Sequence, residues 1–378
     1  MKVSINSSVL NIGLDYISEV LPSKPSMAIC GGIHIEGKEN YINLISTDLE
    51  NTMKISIENE IEEKGEVVVP GKQFISLLKQ FKDEKIEIER KEKFVNVIGK
   101  QSQYSFLEME VEEFPKFPKI TPEVSFKIKG EILKEGLKKI IFCIDPEEPR
   151  HQFRGGLIDI KEKNINMVGT DTRRLSLFIL SNEQIKKQIK ILLSYNLMKK
   201  LINILNEEEV EISIGKNNVS FQTSFTKTFA PNKRITGTIL FVSQLLTGAE
   251  EFPDYEKVIP DVKKSKVAKI NSDNFLLSLK RISLFTSERN NRVKLGFKKG
   301  LLTLSATGDI GEAREQIDIE YNDEDMEIFF PPSFLTDFLE VIKKDEFIFA
   351  FTASNKPVLM KPNEEENFLY VCMPLKGE

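Results

Sequence analysis

The sequence contains few of the residues on which most catalytic sites depend. It has two histidines, His34 and His151, and three cysteines, Cys30, Cys143 and Cys372, scattered singly along 378 residues. Two histidines far apart in the sequence argue against a metal centre or catalytic triad built on histidine. Single cysteines without CxxC spacing are typical of reduced thiols inside a cell. We predict no disulfide, no metal and no cofactor.

Other familiar signals are missing as well. The sequence has no P-loop, no GxGxxG and no HExxH motif, which argues against nucleotide-binding enzymes and zinc proteases. No apolar run approaches the roughly 20 residues that a membrane helix needs. The opening residues MKVSINSS lack the apolar core of a signal peptide. We therefore expect a cytoplasmic protein that has no membrane partner and is not an enzyme.

One pattern occurs three times: an extended apolar run is followed at once by an amphipathic helix. The three segments are Val67 to Phe81, Ile191 to Leu205 and Ile328 to Ile342. In each, apolar residues recur at positions i, i+3, i+4 and i+7, which is one face of a helix. These residues are Phe74, Leu77, Leu78 and Phe81; Met198, Leu201, Ile202 and Leu205; and Leu335, Phe338, Leu339 and Ile342. The chain therefore contains three related units.

The same register continues outside these segments. Alternating stretches (KIEIE, EVEISI and EFIFAF) follow each helix, which predicts half-buried strands, and a further helical segment opens each unit. We predict an α+β fold of three repeated domains, residues 1–120, 121–262 and 263–378. The middle unit carries extra residues at about 222–240, which we expect to form an extended surface hairpin or loop.

Charge is distributed unevenly along the chain. The net charge is −5, but lysines and arginines concentrate on the predicted helices while acids concentrate elsewhere. Lysines occupy most solvated helix faces, so one such helix carries little meaning. A repeated set of basic helices also fits a shared surface for phosphates. Both interpretations stay open at this point.

Several stretches, spread over all three units, resemble the bacterial sliding clamp family, the beta subunit of DNA polymerase III. The matching stretches are STDLE at 46–50, VVVPGKQFISLL at 67–78, EEFPKFP at 112–118, PRHQFRGGLI at 149–158, GTDTRRLSL at 169–177, EEFPDYEKVIP at 250–260 and YVCMPL at 370–375. The FPDY element, the TDxxRL element and the MPL ending are the most specific of these.

The resemblance implies a DNA processivity factor. Two chains would associate head to tail into a homodimeric ring of six domains, with helices lining the hole and a continuous sheet outside. Double-stranded DNA would pass through the ring without being read for sequence. DNA polymerase, clamp loader and repair proteins would dock through short linear motifs.

The resemblance also implies the roles of particular residues. A peptide-binding pocket would be lined by Phe153, Thr170, Thr172, Arg173, Arg174, Leu175, Pro253, Lys257, Val258, Pro357, Val371, Cys372, Met373, Pro374, Leu375 and Lys376. Residues expected to face DNA are Lys24, Lys72, Lys79, Lys138, Lys139, Arg150, His151, Gln152, Lys199, Lys200, Lys280 and Arg281. The dimer interface would include Phe106, Leu284 and Phe285.

This chain departs from the family pattern in two places at the expected pocket. Thr172-Arg173 stands where the family usually has Gly-His, which narrows the site and adds a fixed charge. Lys257 replaces a common arginine and gives up its planar, bidentate hydrogen bonding. We expect acidic, apolar peptides to bind, with altered preferences.

Two other functions remain as alternatives. One is a clamp-like adaptor that binds peptides without encircling DNA. The other is a metal-dependent nuclease, for which Asp309, Glu312 and Glu315 are the available carboxylates. Retention on circular DNA separates the ring from the adaptor, and metal-dependent turnover would reveal the nuclease.

Overall fold

The computed structural model describes residues 1–181, 185–230, 233–287, 290–342 and 344–376. The chain forms two compact units: residues 1–134 together with 199–245, and residues 135–198 together with 246–378. In the described part of the chain, none of the helices combines the length and the apolar character that crossing a membrane would require.

The first repeat contains two helices and nine strands. Its helices are α1 (Ser7–Ser18) and α2 (Gly71–Leu78). Its strands are β1 (Lys2–Asn6), β2 (Gly32–Lys38), β3 (Tyr41–Thr47), β4 (Asn51–Glu58), β5 (Ile61–Glu63), β6 (Gly65–Pro70), β7 (Lys85–Lys91), β8 (Phe94–Ile98) and β9 (Gln103–Leu107).

The second repeat follows the same order of elements. Its helices are α3 (Gly130–Ile141) and α4 (Tyr195–Ile204). Its strands are β10 (Val124–Lys129), β11 (Gly155–Ile160), β12 (Asn164–Thr170), β13 (Arg174–Ser181), β14 (Ile189–Ser194), β15 (Glu209–Ile214), β16 (Asn218–Ala230) and β17 (Lys233–Gln244).

The third repeat completes the chain. Its helices are α5 (Ser272–Ser283) and α6 (Pro332–Ile342). Its strands are β18 (Lys266–Asn271), β19 (Val293–Lys298), β20 (Leu301–Gly308), β21 (Gly311–Asp318), β22 (Met326–Phe330), β23 (Glu346–Phe351), β24 (Val358–Pro362) and β25 (Phe368–Cys372).

These bounds confirm the repeated strand-to-helix pattern and the α+β class. Each predicted amphipathic helix forms directly after its strand, and apolar residues of the predicted face, such as Phe74 and Phe338, are completely buried. Equivalent caps start the first helix of two repeats: the Asn6 side chain accepts from the Ser8 N–H at 2.9 Å, and the Asn271 side chain accepts from the Asn274 N–H at 2.9 Å. Such a cap supplies an acceptor for an N–H that the helix leaves unpaired.

The sheets run across the repeat boundaries. One eight-stranded sheet has the order β10-β15-β16-β17-β4-β3-β2-β6, and a second has the order β14-β11-β12-β13-β25-β24-β23-β18. Antiparallel pairing of β17 with β4 joins the second repeat to the first, and pairing of β13 with β25 joins the second to the third. Strands of the middle repeat thus belong to both sheets, which explains why the two compact units do not coincide with the three repeats.

The extra residues of the middle repeat form a hairpin, as expected. β16 and β17 pair antiparallel from Asn218↔Gln244 to Ala230↔Lys233. Two smaller sheets, β5-β1-β7-β8-β9 and β21-β20-β19-β22, complete the first and third repeats.

Candidate functional site

A largely apolar cavity of about 360 Å³ lies in the unit formed by residues 135–198 and 246–378. Its lining residues are Arg150, Phe153, Thr170, Thr172, Arg173, Arg174, Leu175, Phe252, Pro253, Asp254, Tyr255, Val258, Pro357, Val371 and Met373. This is the size and composition of a site for a small apolar group, such as one or two side chains of a peptide.

Strand pairing brings the separate parts of this lining together. Leu175 of β13 lies opposite Val371 of β25, and the Met373 N–H donates to the Arg173 carbonyl at 2.9 Å. Side chains alternate across a sheet, so Val371 and Met373 face the cavity together. Phe153 and Phe252 approach from the adjoining segments, with ring centroids 5.6 Å apart.

The turn between β12 and β13 forms one rim of the cavity. The Asp171 carboxylate accepts from the backbone N–H groups of Arg173 (3.0 Å) and Arg174 (2.9 Å), and the Thr170 hydroxyl accepts from the Thr172 N–H at 3.0 Å. Thr172 has a φ of 73°, in the left-handed region that a β-branched residue rarely occupies. The hydrogen bonds of the turn hold Thr172 in this strained conformation.

Arg174 is a structural cation beneath this turn. Its guanidinium donates to Asp171 Oδ2 (2.9 Å), Asp337 Oδ2 (2.5 Å) and the Phe142 carbonyl (2.8 Å). Its side chain is 13% exposed. Because three of its nitrogen atoms already donate to these acceptors, the Arg174 guanidinium fixes the turn and has few donors left for a ligand.

Tyr255 forms a fixed part of the opposite wall. Its hydroxyl donates to Asp159 Oδ2 at 2.7 Å and accepts from the Asn166 amide at 2.8 Å. Burial, together with the hydrogen bond to the Asp159 carboxylate, raises the pKa of Tyr255 to about 12. The ring therefore stays neutral and presents an apolar surface.

Most residues expected in the pocket line this cavity, but five do not: Lys257, Cys372, Pro374, Leu375 and Lys376. Cys372 alternates with Val371 and is completely buried on the other side of β25. The Leu375 N–H donates to the Phe329 carbonyl at 2.8 Å, which ties it to β22. The ammonium of Lys257, with a side chain 81% exposed, pairs with Asp254 at 3.0 Å, outside the cavity.

Four residues line the cavity that were not predicted from the sequence: Arg150, Phe252, Asp254 and Tyr255. Phe252, Asp254 and Tyr255 belong to the FPDY element, and they lie next to Pro253, which was predicted to line the pocket. Arg150 was expected at DNA, yet its guanidinium lies 4.8 Å from the centroid of the Phe153 ring and donates to the Thr172 hydroxyl at 3.4 Å. A contact of this kind has no signal in the sequence.

Among the residues expected to face DNA, most are exposed. Lys24, Lys72, Lys138, Lys199 and His151 lie on the surface, as do Lys79, Lys280 and Arg281, while Gln152 is half-buried. Three of these exposed cations form ion pairs: Lys79 pairs with Asp15, Lys280 with Glu340 and Arg281 with Glu315.

The structure contradicts the expectation for Lys139. This residue is 6% exposed, and its ammonium lies 2.8 Å from Glu135 Oε1 and 2.9 Å from Glu365 Oε2. It also lies 4.9 Å from the ring centroids of Phe178 and Phe368. Adjacent helix positions are about 100° apart, so Lys138 can face solvent while Lys139 faces the interior.

Lys200 is largely withdrawn from solvent as well. Its ammonium lies 2.5 Å from Asp48 Oδ2, and its side chain is 17% exposed. The Lys200–Asp48 ion pair therefore joins α4 to the turn that follows β3. Of the adjacent residues Lys199 and Lys200, only Lys199 is exposed.

The residues expected at the dimer interface lie near two sheet edges. Phe106 is half-buried on β9, with its ring centroid 5.7 Å from that of Phe74. Leu284, just after α5, is 71% exposed, and Phe285 is half-buried. β9 and β21 are each one of the two outer strands of their sheets, the others being β5 and β22.

One cluster with metal-ligand side chains occurs in the described part of the chain. The ligand atoms of His34, Glu36 and Glu66 lie within 4.8 Å of one another. Each already has a protein partner, because His34 bonds Glu66 at 2.9 Å and Glu36 accepts from Lys38 and Asn43. We assign no metal to this cluster.

Three family models match the chain in succession. They are the N-terminal domain of the DNA polymerase III beta subunit over residues 1–118, its central domain over 127–232 and its C-terminal domain over 256–376. The chain belongs to the beta sliding clamp family. This family acts as a processivity factor in DNA replication and has no catalytic activity of its own.

Individual clamps are similar over their whole length. The beta sliding clamp of Rickettsia felis is 27% identical over 392 residues, covering 100% of both chains. That of Staphylococcus epidermidis is 25% identical, covering 96% of this chain and 95% of its own. The crystal structure of the DNA polymerase III subunit beta from Pseudomonas aeruginosa superposes with a TM-score of 0.91 at 23% identity, covering 100% of both chains, so the fold is shared.

Proposed function

We propose that two copies of this clamp associate head to tail into a closed ring around duplex DNA in the cytoplasm. The observation that carries the proposal is that two outer strands, β9 in the first repeat and β21 in the third, have exposed apolar side chains at them, Leu107 and Ile310. An unpaired edge is a template for another strand, and two different edges on one chain can join copies into a closed ring.

Both edges have exposed apolar side chains beside them. Tyr104 and Leu107 on β9 are 42% and 63% exposed. Ile310, just before β21, is 75% exposed, and Leu284, just after α5, is 71% exposed. Apolar groups in such positions favour association, because pairing the strands removes them from water. Pairing of β9 with β21 of a second copy would cover both edges.

The exposed cations of the helices supply the attraction to DNA. Lys72, Lys138 and Lys199 lie on α2, α3 and α4 and are exposed. Contacts of such side chains with phosphates are independent of sequence and weaken with salt, which suits a ring that slides. Lys139 and Lys200 are excluded from this role by their ion pairs with Glu135, Glu365 and Asp48.

The cavity supplies the attachment of partners. Its lining includes the apolar side chains of Phe153, Leu175, Val371 and Met373 together with the cations Arg150 and Arg173. Within the described residues, the exposed Arg173 guanidinium has no carboxylate partner. We infer that the cavity binds a short linear motif with apolar anchors and an acidic neighbour, from DNA polymerase, clamp loader or repair proteins.

Retention on DNA of different topology tests the ring. The clamp is loaded by its clamp loader onto nicked circular DNA, the free protein is removed, and the DNA is then cut once. We expect the clamp to stay on the circle and to be lost from the linear product. A clamp that stays on linear DNA with free ends contradicts the ring, and a protein that never remains on the circle favours the adaptor.

The mass in solution tests the edges. We expect twice the chain mass of 43.3 kDa for the wild type and the single mass for Leu107→Asp. Tyr41→Asp is a matched control, since Tyr41 is 43% exposed but lies on β3, in a different sheet from both edge strands. A monomeric or trimeric wild type would contradict the two-chain ring. Mg²⁺-dependent DNA cleavage that is lost in Asp309→Ala would instead support the nuclease.

A further inference from the structure

We propose that a polar cavity on the sheet β21-β20-β19-β22 of the third repeat binds single-stranded nucleic acid. The cavity has a volume of about 620 Å³. Within the described residues, it shares no lining residue with the apolar cavity that we assign to peptides. The inference goes beyond the proposed ring and does not depend on it.

Strand register places three polar side chains in a row at this cavity. Lys294 of β19 lies opposite Ser305 of β20, and Ser305 lies opposite Arg314 of β21. Directly opposite residues of an antiparallel sheet share a face, so an ammonium, a hydroxyl and a guanidinium project from the same side. Neighbouring strands are about 4.8 Å apart, so the two cations are attached about 10 Å from each other. Each cation can therefore contact a different phosphate of one nucleic acid strand.

The row lies on the side of the sheet that faces away from the protein core. The alternate residues Leu295 and Leu304 are completely buried, and α5 packs against β20 and β21. Because side chains alternate across a sheet, the row projects from the opposite side, where Arg314 is exposed. Pairing of β21 with a second copy would use the backbone groups at the edge of this strand, so it would leave the face accessible.

The donors at one end of the row are available to a ligand. In the neighbouring row of the same face, the Gln316 amide donates to the Thr303 hydroxyl at 3.3 Å, so these two polar groups satisfy each other. Among the described residues, neither Arg314 nor Ser305 has a side-chain hydrogen bond or ion pair with the protein. Phosphate oxygens are acceptors for both groups.

The lining of the cavity is positively charged, although the chain has a net charge of −5. It contains three cations, Arg292, Lys294 and Arg314, and one carboxylate, Glu312. Lys294 pairs with Glu327 at 3.1 Å, but both side chains are exposed, and an exposed pair contributes little. The other polar lining residues carry hydroxyl or amide groups, which also donate to phosphate oxygens. The lining therefore has the sign of charge and the donors that phosphates require.

An aromatic ring in the lining favours a nucleic acid over other polyanions. Phe329 of β22 lies opposite Lys294, so its half-buried ring continues the row on the same face. The Arg292 guanidinium carbon lies 5.4 Å from the centroid of this ring. Bases stack on aromatic side chains beside cations in sites for single strands. A duplex keeps its bases stacked inside the helix and an acidic peptide has none, so we assign the cavity to a single strand.

Binding of a fluorescent oligothymidylate of about 20 nucleotides tests the charges of the cavity. The full chain is titrated over a series of salt concentrations. We expect Lys294→Gln with Arg314→Gln to weaken binding about tenfold near 0.1 M salt, and to lower the slope of log K against log salt by up to about 1.4. Lys298→Gln with Lys299→Gln is the matched control, because it removes the same charge from exposed residues at the end of β19, outside the lining. This control should bind like the wild type.

Phe329→Leu tests the aromatic ring separately. We expect it to weaken binding about fivefold at every salt concentration and to leave the salt slope unchanged, because it removes stacking but no charge. Circular dichroism verifies that each variant keeps the fold.

Three results would overturn the inference. The first is a wild type that does not bind the oligonucleotide, or binds it no more tightly than the Lys294→Gln, Arg314→Gln variant. The second is an equal loss in the control variant, which would mean general attraction by surface charge. The third is displacement of the oligonucleotide by a duplex or a glutamate-rich peptide as readily as by unlabelled oligothymidylate. Retention on circular DNA tests the ring independently of all three.

Discussion

Two turns of the molecule share one hydrogen-bond pattern but differ in what lies beside them. The first follows β3 at Thr47-Asp48, and the second follows β12 at Thr170-Asp171. At the first turn, the Asp48 carboxylate accepts from the N–H groups of Glu50 (3.1 Å) and Asn51 (2.7 Å). At the second turn, the Asp171 carboxylate accepts from the N–H groups of Arg173 (3.0 Å) and Arg174 (2.9 Å) in the same way.

The strain is shared as well. Leu49 has a φ of 78° and Thr172 a φ of 73°, so each turn places a non-glycine residue in the left-handed region. A neighbouring repeat supplies the next strand in both cases. The Gln244 N–H donates to Glu50 at 3.0 Å, as the Met373 N–H donates to Arg173 at 2.9 Å. Gln244 and Met373 are thus equivalent positions.

The side chains at these equivalent positions make the difference. Thr52 and Gln244 are polar, and the Gln244 amide donates to the Leu49 carbonyl at 3.2 Å. Their counterparts, Leu175 and Met373, are apolar and line the cavity. We call each turn, together with the strand that the neighbouring repeat supplies, a junction. The backbone is alike at the two junctions, but the first is closed by its own hydrogen bonds and the second is lined for an apolar ligand. Only a few side chains make this difference.

The largest effect should come from the cation that fixes the second turn. We expect Arg174→Ala to lower the free energy of unfolding by about 3 kcal/mol, because it leaves Asp171 and Asp337 without their partner. The equivalent loss at the first turn, Lys200→Ala, frees only Asp48 and should cost about 1 kcal/mol. Urea unfolding measures both, and equal losses would mean that the two turns are held alike.

The second prediction converts one junction into the other. Leu175→Thr with Met373→Gln gives the second junction the polar residues of the first, and we expect peptide affinity to fall at least about 30-fold, or about 2 kcal/mol. Thr52→Leu with Gln244→Met is the control and should leave the affinity unchanged. Fluorescence anisotropy with an acidic, apolar peptide gives both values, and undiminished binding by the first variant would rule out this cavity.

A smaller effect should come from the charge at the rim. We expect Arg173→Ala to weaken binding of a peptide with a carboxylate about fivefold at low salt, near 1 kcal/mol, and to leave its amide analogue unaffected. Lys257→Ala serves as the matched control, because it also removes one cation, and the Lys257 ammonium is exposed and paired with Asp254. If Lys257→Ala has the larger effect, the acidic group is recognised outside the cavity.

The smallest effect concerns the strained residues. Thr172→Gly should raise the melting temperature, with a gain of about 0.5–1 kcal/mol, because glycine adopts a positive φ without a steric penalty. Leu49→Gly should act in the same direction at the first turn. A lower melting temperature for both variants would show that the side chains contribute more than the strain costs.

Local patterns in the sequence predicted local structure well. The i, i+3, i+4, i+7 faces and the alternating strands correspond to α2, α4, α6 and their following strands, since both are set by neighbours along the chain. The extra residues near 222–240 proved to be a hairpin for the same reason. The strands that join the repeats needed pairing between distant residues, which periodicity does not encode.

The site was predictable where a motif is contiguous and less so where contacts are distant. Thr170 to Leu175 line the cavity apart from Asp171, whose carboxylate instead braces the turn. Cys372 faces away because the side chains of β25 alternate, and Lys139 turned inward toward Glu365, 226 residues later in the chain. Such an ion pair depends on tertiary structure. The charge pattern of the helix alone placed Lys139 on the exposed face, whereas its side chain is buried.

The most direct test of the comparison is hydrogen exchange of the full chain with and without an acidic, apolar peptide. We expect slower exchange of backbone amides at residues 170–175 and 371–373 on binding, with no change at 47–52 and 242–244. Protection of the first turn to the same extent, or protection confined to it, would contradict the claim that apolar side chains make the second junction the binding site.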